Sequence, residues 1–436
     1  MGPIEFSIIF FGSMFLFLGI GVPIAVALGG LSAILVYLFW GSNAVSMLVL
    51  KAYGNTSSFE FLAIPLFIFM SNVLERAKIA DDLYETMSKF FGARPGGLAA
   101  GTVVICMIFA AMAGISGAAT VSMGILALPA MMARGYSTRL ALGSVAAGGS
   151  LGILIPPSVT MIIYGIIAQT SVGKLYAGGI LPGILLSTLF IAYILIRARF
   201  QPEIAPAFAG SEQIPWREKF RSLKGLVVPI LLVVAVMGSI LTGLASISEA
   251  AAIGAGGSIL AAILNRGLRL DIFREAAEKT LLFSALIFWI VIGASAFATL
   301  YTAMGAGSII QDMVLATDLN RYVIVAIMMA ILLVMGMVID TTGVIMIAVP
   351  VMTPIVASLG FDPIWFGVLF IINMEIGFLT PPFGYNLFYL KGVAPPEVRL
   401  QDIYRSVIPF VLLMVFGMGL CMAFEDIILW LPRAIF

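Results

Sequence analysis

Apolar runs long enough to cross a bilayer, about 20 residues each, recur along this chain at residues 5–20, 23–40, 58–75, 138–170 and 176–196. A second set follows at 225–243, 246–264, 280–300, 362–390 and 406–424. Between the third and fourth run of each set lies a further apolar region, 98–133 and 322–356, interrupted near its middle by small and polar residues. The first interruption reads Ala113-Gly114-Ile115-Ser116-Gly117-Ala118-Ala119-Thr120, the second Met337-Val338-Ile339-Asp340-Thr341-Thr342-Gly343. Pro129 follows Thr120 at the spacing with which Pro350 follows Thr341. The pattern predicts an all-α polytopic membrane protein in two halves, 1–196 and 225–436, joined by a linker at 197–224. Each half is expected to hold five spans and one re-entrant hairpin.

Two of the long runs carry a double proline, in Gly152-Ile153-Leu154-Ile155-Pro156-Pro157-Ser158 and in Gly377-Phe378-Leu379-Thr380-Pro381-Pro382-Phe383. Proline lacks an N–H and clashes with the preceding turn, so the helices at 138–170 and 362–390 must break there. Non-helical backbone at membrane depth is tolerated only where it is buried in protein or lines a cavity. A matched pair of interrupted segments in corresponding halves is therefore a candidate binding site of the kind found in membrane carriers.

Composition agrees with a membrane solvent: 61% of residues are hydrophobic and 10% charged, with a mean hydropathy of +1.14, against roughly 25% charged residues in soluble domains. A net charge of +1 and the lack of any Lys/Arg block argue against a nucleic-acid partner. Cys106 and Cys421 sit in separate apolar segments, which indicates neither a disulfide framework nor a cysteine metal site. Without histidine, histidine metal sites and histidine proton relays are excluded. Glu5 leads at once into an apolar run with no basic leader, so the first helix is expected to be a retained span.

Charge placement orients the spans. The linker holds Arg197, Arg199, Arg217, Lys219, Arg221 and Lys224 and is taken as cytoplasmic. With the hairpins not crossing, all of the 23 Lys and Arg residues except Lys51, Lys174, Arg321 and Arg433 then fall on the cytoplasmic side. Both termini are expected outside the cytoplasm. Because five is odd, the second half enters upside down relative to the first, an inverted repeat. Stretches 74–89 and 266–279 alternate apolar and charged residues at helical spacing, as expected of interfacial bracing helices or of simple connections.

Ionisable side chains at membrane depth are costly and point to function. Asp340 stands at the tip of the second hairpin beside Thr341 and Thr342, facing the break at Thr380-Pro381-Pro382. A hard cation such as Na⁺ wants several oxygen ligands, which a hairpin tip and a broken helix supply together. The same residue is also a good helix N-cap. The first tip offers Ser116, Gly117 and Thr120 opposite Ile155, Pro156, Pro157 and Ser158, a set without a carboxylate, and its small residues equally suit close helix packing. An anionic substrate between the tips would meet helix N-termini; Ser158, Gly343, Gly384 and Asn386 are the candidate pocket residues. Glu375, beside Asn373, could pair with backbone or a neighbouring helix, or mark a proton path. Glu60 and Glu249 read as interface residues. An intramembrane aspartyl protease would need a second carboxylate sharing a proton with Asp340, and only Glu375 is near in sequence, so no enzyme is expected.

The tip Ser116-Gly117-Ala118-Ala119-Thr120, the Gly-x-Leu-Ile-Pro-Pro-Ser run at 152–158, Asp340-Thr341-Thr342, the Ile64-Pro65-Leu66-Phe67 element and Gly-Phe-Leu-Thr-Pro-Pro-Phe-Gly-Tyr-Asn-Leu-Phe at 377–388 resemble the large membrane subunit of tripartite ATP-independent periplasmic (TRAP) transporters, over essentially the whole chain. The resemblance implies a secondary carrier of the bacterial inner membrane with a scaffold and a mobile, elevator-type transport domain. It implies Na⁺ as coupling ion with no other cofactor, an organic acid as substrate, a periplasmic substrate-binding protein and a small membrane subunit of about four spans, here a separate chain. By similarity one Na⁺ site maps to Ser116, Gly117 and Thr120 with Ile155, Pro156 and Pro157. The other maps to Asp340, Thr341 and Thr342 with Thr380, Pro381 and Pro382. Ala118 and Ala119 depart from a serine-rich form of the first tip. The alternative is a self-sufficient carboxylate carrier or cation/proton antiporter of the same architecture.

Overall fold

In lipid a backbone has no water to pair with, so each long apolar stretch must close its own hydrogen bonds as a helix. The computed structural model describes residues 3–77, 79–114, 116–207, 215–266 and 270–436, and among them every regular element is helical. In the first half, α1 (Pro3–Gly19), α2 (Ile24–Trp40) and α3 (Ser42–Thr56) lead through a 3-10 turn at Phe59–Leu62 into α4 (Ala63–Arg76) and α5 (Ile79–Phe91). A hairpin of α6 (Gly97–Ala113) and α7 (Ser116–Ala133) follows. The first broken helix is α8 (Thr138–Ser150), a 3-10 turn at Leu151–Ile153 and α9 (Val159–Ala168), and α10 (Val172–Phe200) closes the half. The linker carries a 3-10 turn at Pro202–Ile204 and α11 (Trp216–Ser222). The second half runs α12 (Lys224–Leu241), α13 (Ile247–Arg266), α14 (Leu270–Ala303), α15 (Ala306–Leu315), the hairpin α16 (Arg321–Val338) and α17 (Thr341–Ser358), the broken helix α18 (Pro363–Leu379) and α19 (Tyr385–Val393), then α20 (Leu400–Ala423) and α21 (Asp426–Ile435).

Both hairpins and both broken helices therefore lie where the apolar pattern places them. The stretch 266–279 differs. From Leu270 it runs unbroken into the following span as one 34-residue helix, about 50 Å long at 1.5 Å per residue and so well beyond a bilayer core of roughly 30 Å; residues 267–269 lie outside the described residues. The 74–89 stretch does form a separate helix, α5, although Lys78 and the side chains of 79–82 lie outside the description. Helices α3, α15 and α21 add to the expected set.

Among the described residues, seven helices are long and apolar enough to cross a membrane: α7, α10, α13, α14, α16, α17 and α20. Three of these are hairpin arms. Of the ten spans expected, α1, α2 and α18 reach only 17 residues each, about 25 Å. Helices α3 and α4 meet at a bend of 57°. Outward-facing leucines such as Leu264 and Leu282 are 69% and 70% exposed; together with the apolar helices this defines a multi-pass membrane protein whose surface meets lipid.

Two sets of helices pack among themselves. Helices α1–α4 with α12–α15 form one, α6–α10 with α16–α21 the other, and α4, α12, α14 and α15 touch α6, α9 and α17 along the seam. In the first set α2 crosses α14 so closely that a Cβ at Gly29 would lie 3.1 Å from the Gly293 Cα, the small-residue contact that lets membrane helices approach. Phe10 stacks on Phe297 at 4.9 Å. Arg76 pairs with Glu275, and buried Asn72 donates to Thr280 Oγ1 at 3.2 Å; both bonds brace α4 against the first turns of α14. In the second set the Trp365 indole donates to the Cys421 carbonyl at 3.1 Å, tying α18 to α20. The start of the linker is strapped to this set by backbone bonds, Gly96 N to Ala205 O at 2.9 Å and Ser137 N to Ile204 O at 2.8 Å; residues 208–214 lie outside the description.

Candidate functional site

The hairpin tips and proline breaks come together within the second set of helices, and they do so crosswise. The second arm of each hairpin packs on the far piece of the other half's broken helix: α7 on α19, and α17 on α9.

The first tip turns at Gly114, whose φ of +63° is open to glycine at no steric penalty. Its carbonyl accepts from Val159 N at 3.3 Å, and a Cβ at Gly114 would lie 2.8 Å from the Pro157 carbonyl oxygen. Tip and break of the first half are thus in backbone contact, while Ile115 lies outside the described residues. On its other side the tip meets the second half. Ser116 Oγ donates to Asn386 Oδ1 at 3.2 Å in a buried pair, and a Cβ at Gly117 would sit 3.0 Å from the Tyr389 ring.

The second tip is organised by Asp340. Its carboxylate caps α17, Oδ2 accepting from Thr342 N at 3.0 Å and Gly343 N at 3.3 Å, at the helix end that favours negative charge. The carboxylate also lies within electrostatic reach of the Tyr385 and Tyr389 hydroxyls of α19. At the second break Thr380 ends α18, its hydroxyl donating to Ile376 O at 2.6 Å. Gly384 turns the chain at φ +53° before α19, and Tyr404 donates to the Pro382 carbonyl at 2.9 Å. The Pro156–Pro157 and Pro381–Pro382 peptides are both cis. The first break is buried at both prolines, whereas Pro382 and Phe383 are exposed.

Ser158 is committed elsewhere than in a pocket. Fully buried, its hydroxyl donates to Ile153 O at 2.6 Å and accepts from Met161 N at 3.3 Å as the N-cap of α9, and its carbonyl takes the Tyr176 hydroxyl at 3.1 Å. Gly343 lies against Ile24 of α2, on the seam between the two helix sets. Two buried hydroxyls at the tips, Thr120 Oγ1 and Thr341 Oγ1, and the Asn386 Nδ2 just past the second break have no hydrogen-bond partner. Orphaned buried oxygens each cost about 1–3 kcal/mol, a deficit that a bound monovalent cation coordinated by oxygen would remove. One such hydroxyl stands at each tip, and the second tip adds the Asp340 carboxylate.

The crosswise contact of Ser116 with Asn386 is the feature that sequence reasoning, which set each tip against its own break, did not reach. Only the spacing of Asn386, Tyr389, Leu390 and Val393 along α19 hinted at a face turned to a partner; a Cβ at Gly124 of α7 would meet Val393 and Leu390. Ser116→Ala should strip Asn386 of its one bond and lower stability by about 1–3 kcal/mol, read as a lower Tm in detergent. Adding Asn386→Leu should recover most of the loss, since replacing both partners by apolar groups is close to neutral.

Comparison with known proteins agrees with this architecture. Residues 11–427 match the family described as tripartite ATP-independent periplasmic transporter, DctM component. The chain is 32% identical to the C4-dicarboxylate TRAP transporter large permease protein of Vibrio cholerae, covering 95% of this chain and 94% of that protein. It is 31% identical to the 2,3-diketo-L-gulonate large permease of Escherichia coli, over 93% and 94%. It is 32% identical to the isethionate TRAP permease of Oleidesulfovibrio alaskensis over 93% of this chain, but spans only 63% of that longer protein. Among solved structures, the Neisseria gonorrhoeae MtrF efflux pump shares the fold at a TM-score of 0.63 and 12% identity, covering 99% of this chain and 95% of that one. The Alcanivorax borkumensis YdaH transporter does so at 0.60 and 14%, covering 94% and 97%. A family match over residues 11–427, together with relatives at 31–32% identity over nearly the whole length of both chains, makes this protein a large membrane subunit of the TRAP transporter family.

Proposed function

We propose that the chain is the Na⁺-coupled permease of an organic-acid uptake system in the bacterial inner membrane. The observation that carries this reading is the pairing of an orphaned threonine hydroxyl at each hairpin tip, Thr120 and Thr341, with a proline-broken helix in a member of this family. One Na⁺ would be held by Ser116, Gly117 and Thr120 with backbone at Ile155, Pro156 and Pro157. The other would be held by Asp340, Thr341 and Thr342 with Thr380, Pro381 and Pro382. The substrate would lie between the tips near Gly384 and Asn386. Relatives named for C4-dicarboxylates, 2,3-diketo-L-gulonate, isethionate and sialic acid share an acidic group, which supports an organic acid here.

In this reading the second helix set is the transport domain, the first is the scaffold, and the two halves are inverted repeats. Na⁺ closes each tip onto its break and completes the substrate pocket, and the loaded domain slides across the bilayer. Substrate drives the change only through better binding to the Na⁺-ordered state. A separate small membrane subunit and a periplasmic substrate-binding protein complete the system. The test is proteoliposome uptake of a panel of labelled organic acids with and without an inward Na⁺ gradient. Uptake that needs the gradient and both partner proteins is expected; uptake by this chain alone would overturn the tripartite part and favour a self-sufficient carrier.

A further inference from the structure

Among the described residues Glu375 is the one acidic or basic side chain that is fully buried, at 0% exposure, and neither of its carboxyl oxygens has a hydrogen-bond partner. It lies in the C-terminal half of α18, a helix buried at every position from Ile364 to Leu379. At 100° per residue, Glu375 points away from Asn373, whose amide donates to Met329 O of α16 at 2.7 Å. It shares a face with Ile364 and Val368, which cover Gly178 of α10. None of the site geometry described above uses it.

An isolated ionised carboxylate is not sustained in such surroundings; it becomes neutral or gains a partner. Na⁺ would need several converging oxygens. Asp340 stands at a helix N-terminus with its carboxylate held by backbone N–H groups, whereas neither carboxyl oxygen of Glu375 meets any partner. A proton needs one oxygen only. The titratable groups on helices packed against α18 supply no counter-charge to it. Tyr164 of α9, Tyr176 of α10 and Cys421 of α20 are neutral, and Asp340 is held by its own backbone donors. Arg139 of α8, Lys174, Arg197 and Arg199 of α10, Arg321 of α16, Lys391 of α19, Arg405 of α20 and Arg433 of α21 all lie in the first or last two turns of their helices.

We propose that Glu375 is a proton-binding site inside the second helix set, occupied in the folded protein, and that α18 goes through the transport cycle with this carboxyl uncharged. Asp340 and Glu375 thereby divide the labour of two membrane-depth acids, one ionised and cation-facing, the other neutral and proton-holding. The sign follows: transport is full where Glu375 is protonated and is lost as pH rises through its titration, approaching about tenfold per pH unit above the midpoint, the slope of a single-proton site.

Infrared spectra of the purified chain in nanodiscs, with ¹³C-labelled glutamate, test the proposal directly, because no other described glutamate is buried. A protonated-carboxyl C=O band that shifts with the label and vanishes in Glu375→Gln is expected. Label confined to the ionised-carboxylate bands overturns the proposal, and this readout on the wild-type chain stands even where the variant fails to fold. In uptake assays Glu375→Gln should keep its rate and lose the alkaline decline; a variant that declines like the wild type would also refute it. The uptake arm rests on the Na⁺-driven reading, whereas the infrared arm does not, so failure of one is not failure of the other.

Discussion

Asp340→Asn is expected to reduce Na⁺-driven uptake at least tenfold and to raise the Na⁺ concentration for half-maximal rate by a similar factor, about 1.4 kcal/mol or more of lost cation binding. The substitution separates the two roles open to this residue. Asparagine caps helices about as well as aspartate and can accept the same bonds from Thr342 N and Gly343 N, so α17 should form and Tm should hold. What disappears is the charge. A neutral amide oxygen remains a cation ligand, but of lower field strength, and the second tip then becomes as weakly charged as the first. Uptake and Na⁺ dependence both unchanged would leave Asp340 as a cap alone and remove the carboxylate from the cation site.

Gly149→Ala should be nearly as damaging, through packing alone. A Cβ at residue 149 of α8 would lie 2.0 Å from Thr120 Oγ1 and 2.9 Å from the Thr120 Cα. Because one of those atoms is backbone, no rotamer relieves the clash; α7 must move off α8 and carry Thr120 out of the first tip. Overpacking of this kind costs about 1–3 kcal/mol, and here the displaced residue is a proposed cation ligand. The variant should show a lower Tm in detergent and a Na⁺ response weakened well beyond what the loss of stability explains. Gly392→Ala is the control, since a Cβ there meets nothing; it should leave both measurements unchanged. Wild-type Tm and uptake in Gly149→Ala would show that α7 and α8 do not hold this contact.

Much of this architecture is legible in the chain because its constraints are local. A double proline breaks a helix wherever it falls, and an apolar run interrupted by Gly114 to Thr120, or by Asp340 to Gly343, must turn at the interruption. Hairpin and break boundaries accordingly agree with the apolar pattern to within a few residues. What stayed hidden depends on neighbours distant in sequence. Hydrophobic periodicity does not say that α7, besides packing on α8 of its own half, also lies on α19 of the other, so the spacing on α19 marks a face turned to a partner without naming Ser116 as that partner. Ser158 looked like a pocket residue because it follows the prolines, yet that position is also the N-cap of α9, and capping uses its hydroxyl. The continuity of α14 is not legible because charged residues at 271–279 resemble a surface helix, and Arg76, the partner of Glu275, belongs to another helix altogether. The isolation of Glu375 could not be read at all, since a lone acid in a sequence carries no record of whether anything faces it.

The bond from Ser116 to Asn386 joins a turn of the first half to a turn of the second. If cations fill both tips as proposed, neither occupancy is private: ordering Ser116 for one ion fixes Asn386 beside the other half's break, and the reverse holds with the same free energy. Two ions would then enter as a correlated pair, with singly filled states scarce at equilibrium. A carrier wired this way guards against slippage by statistics, because the half-loaded form that could leak across empty-handed is the form least often present.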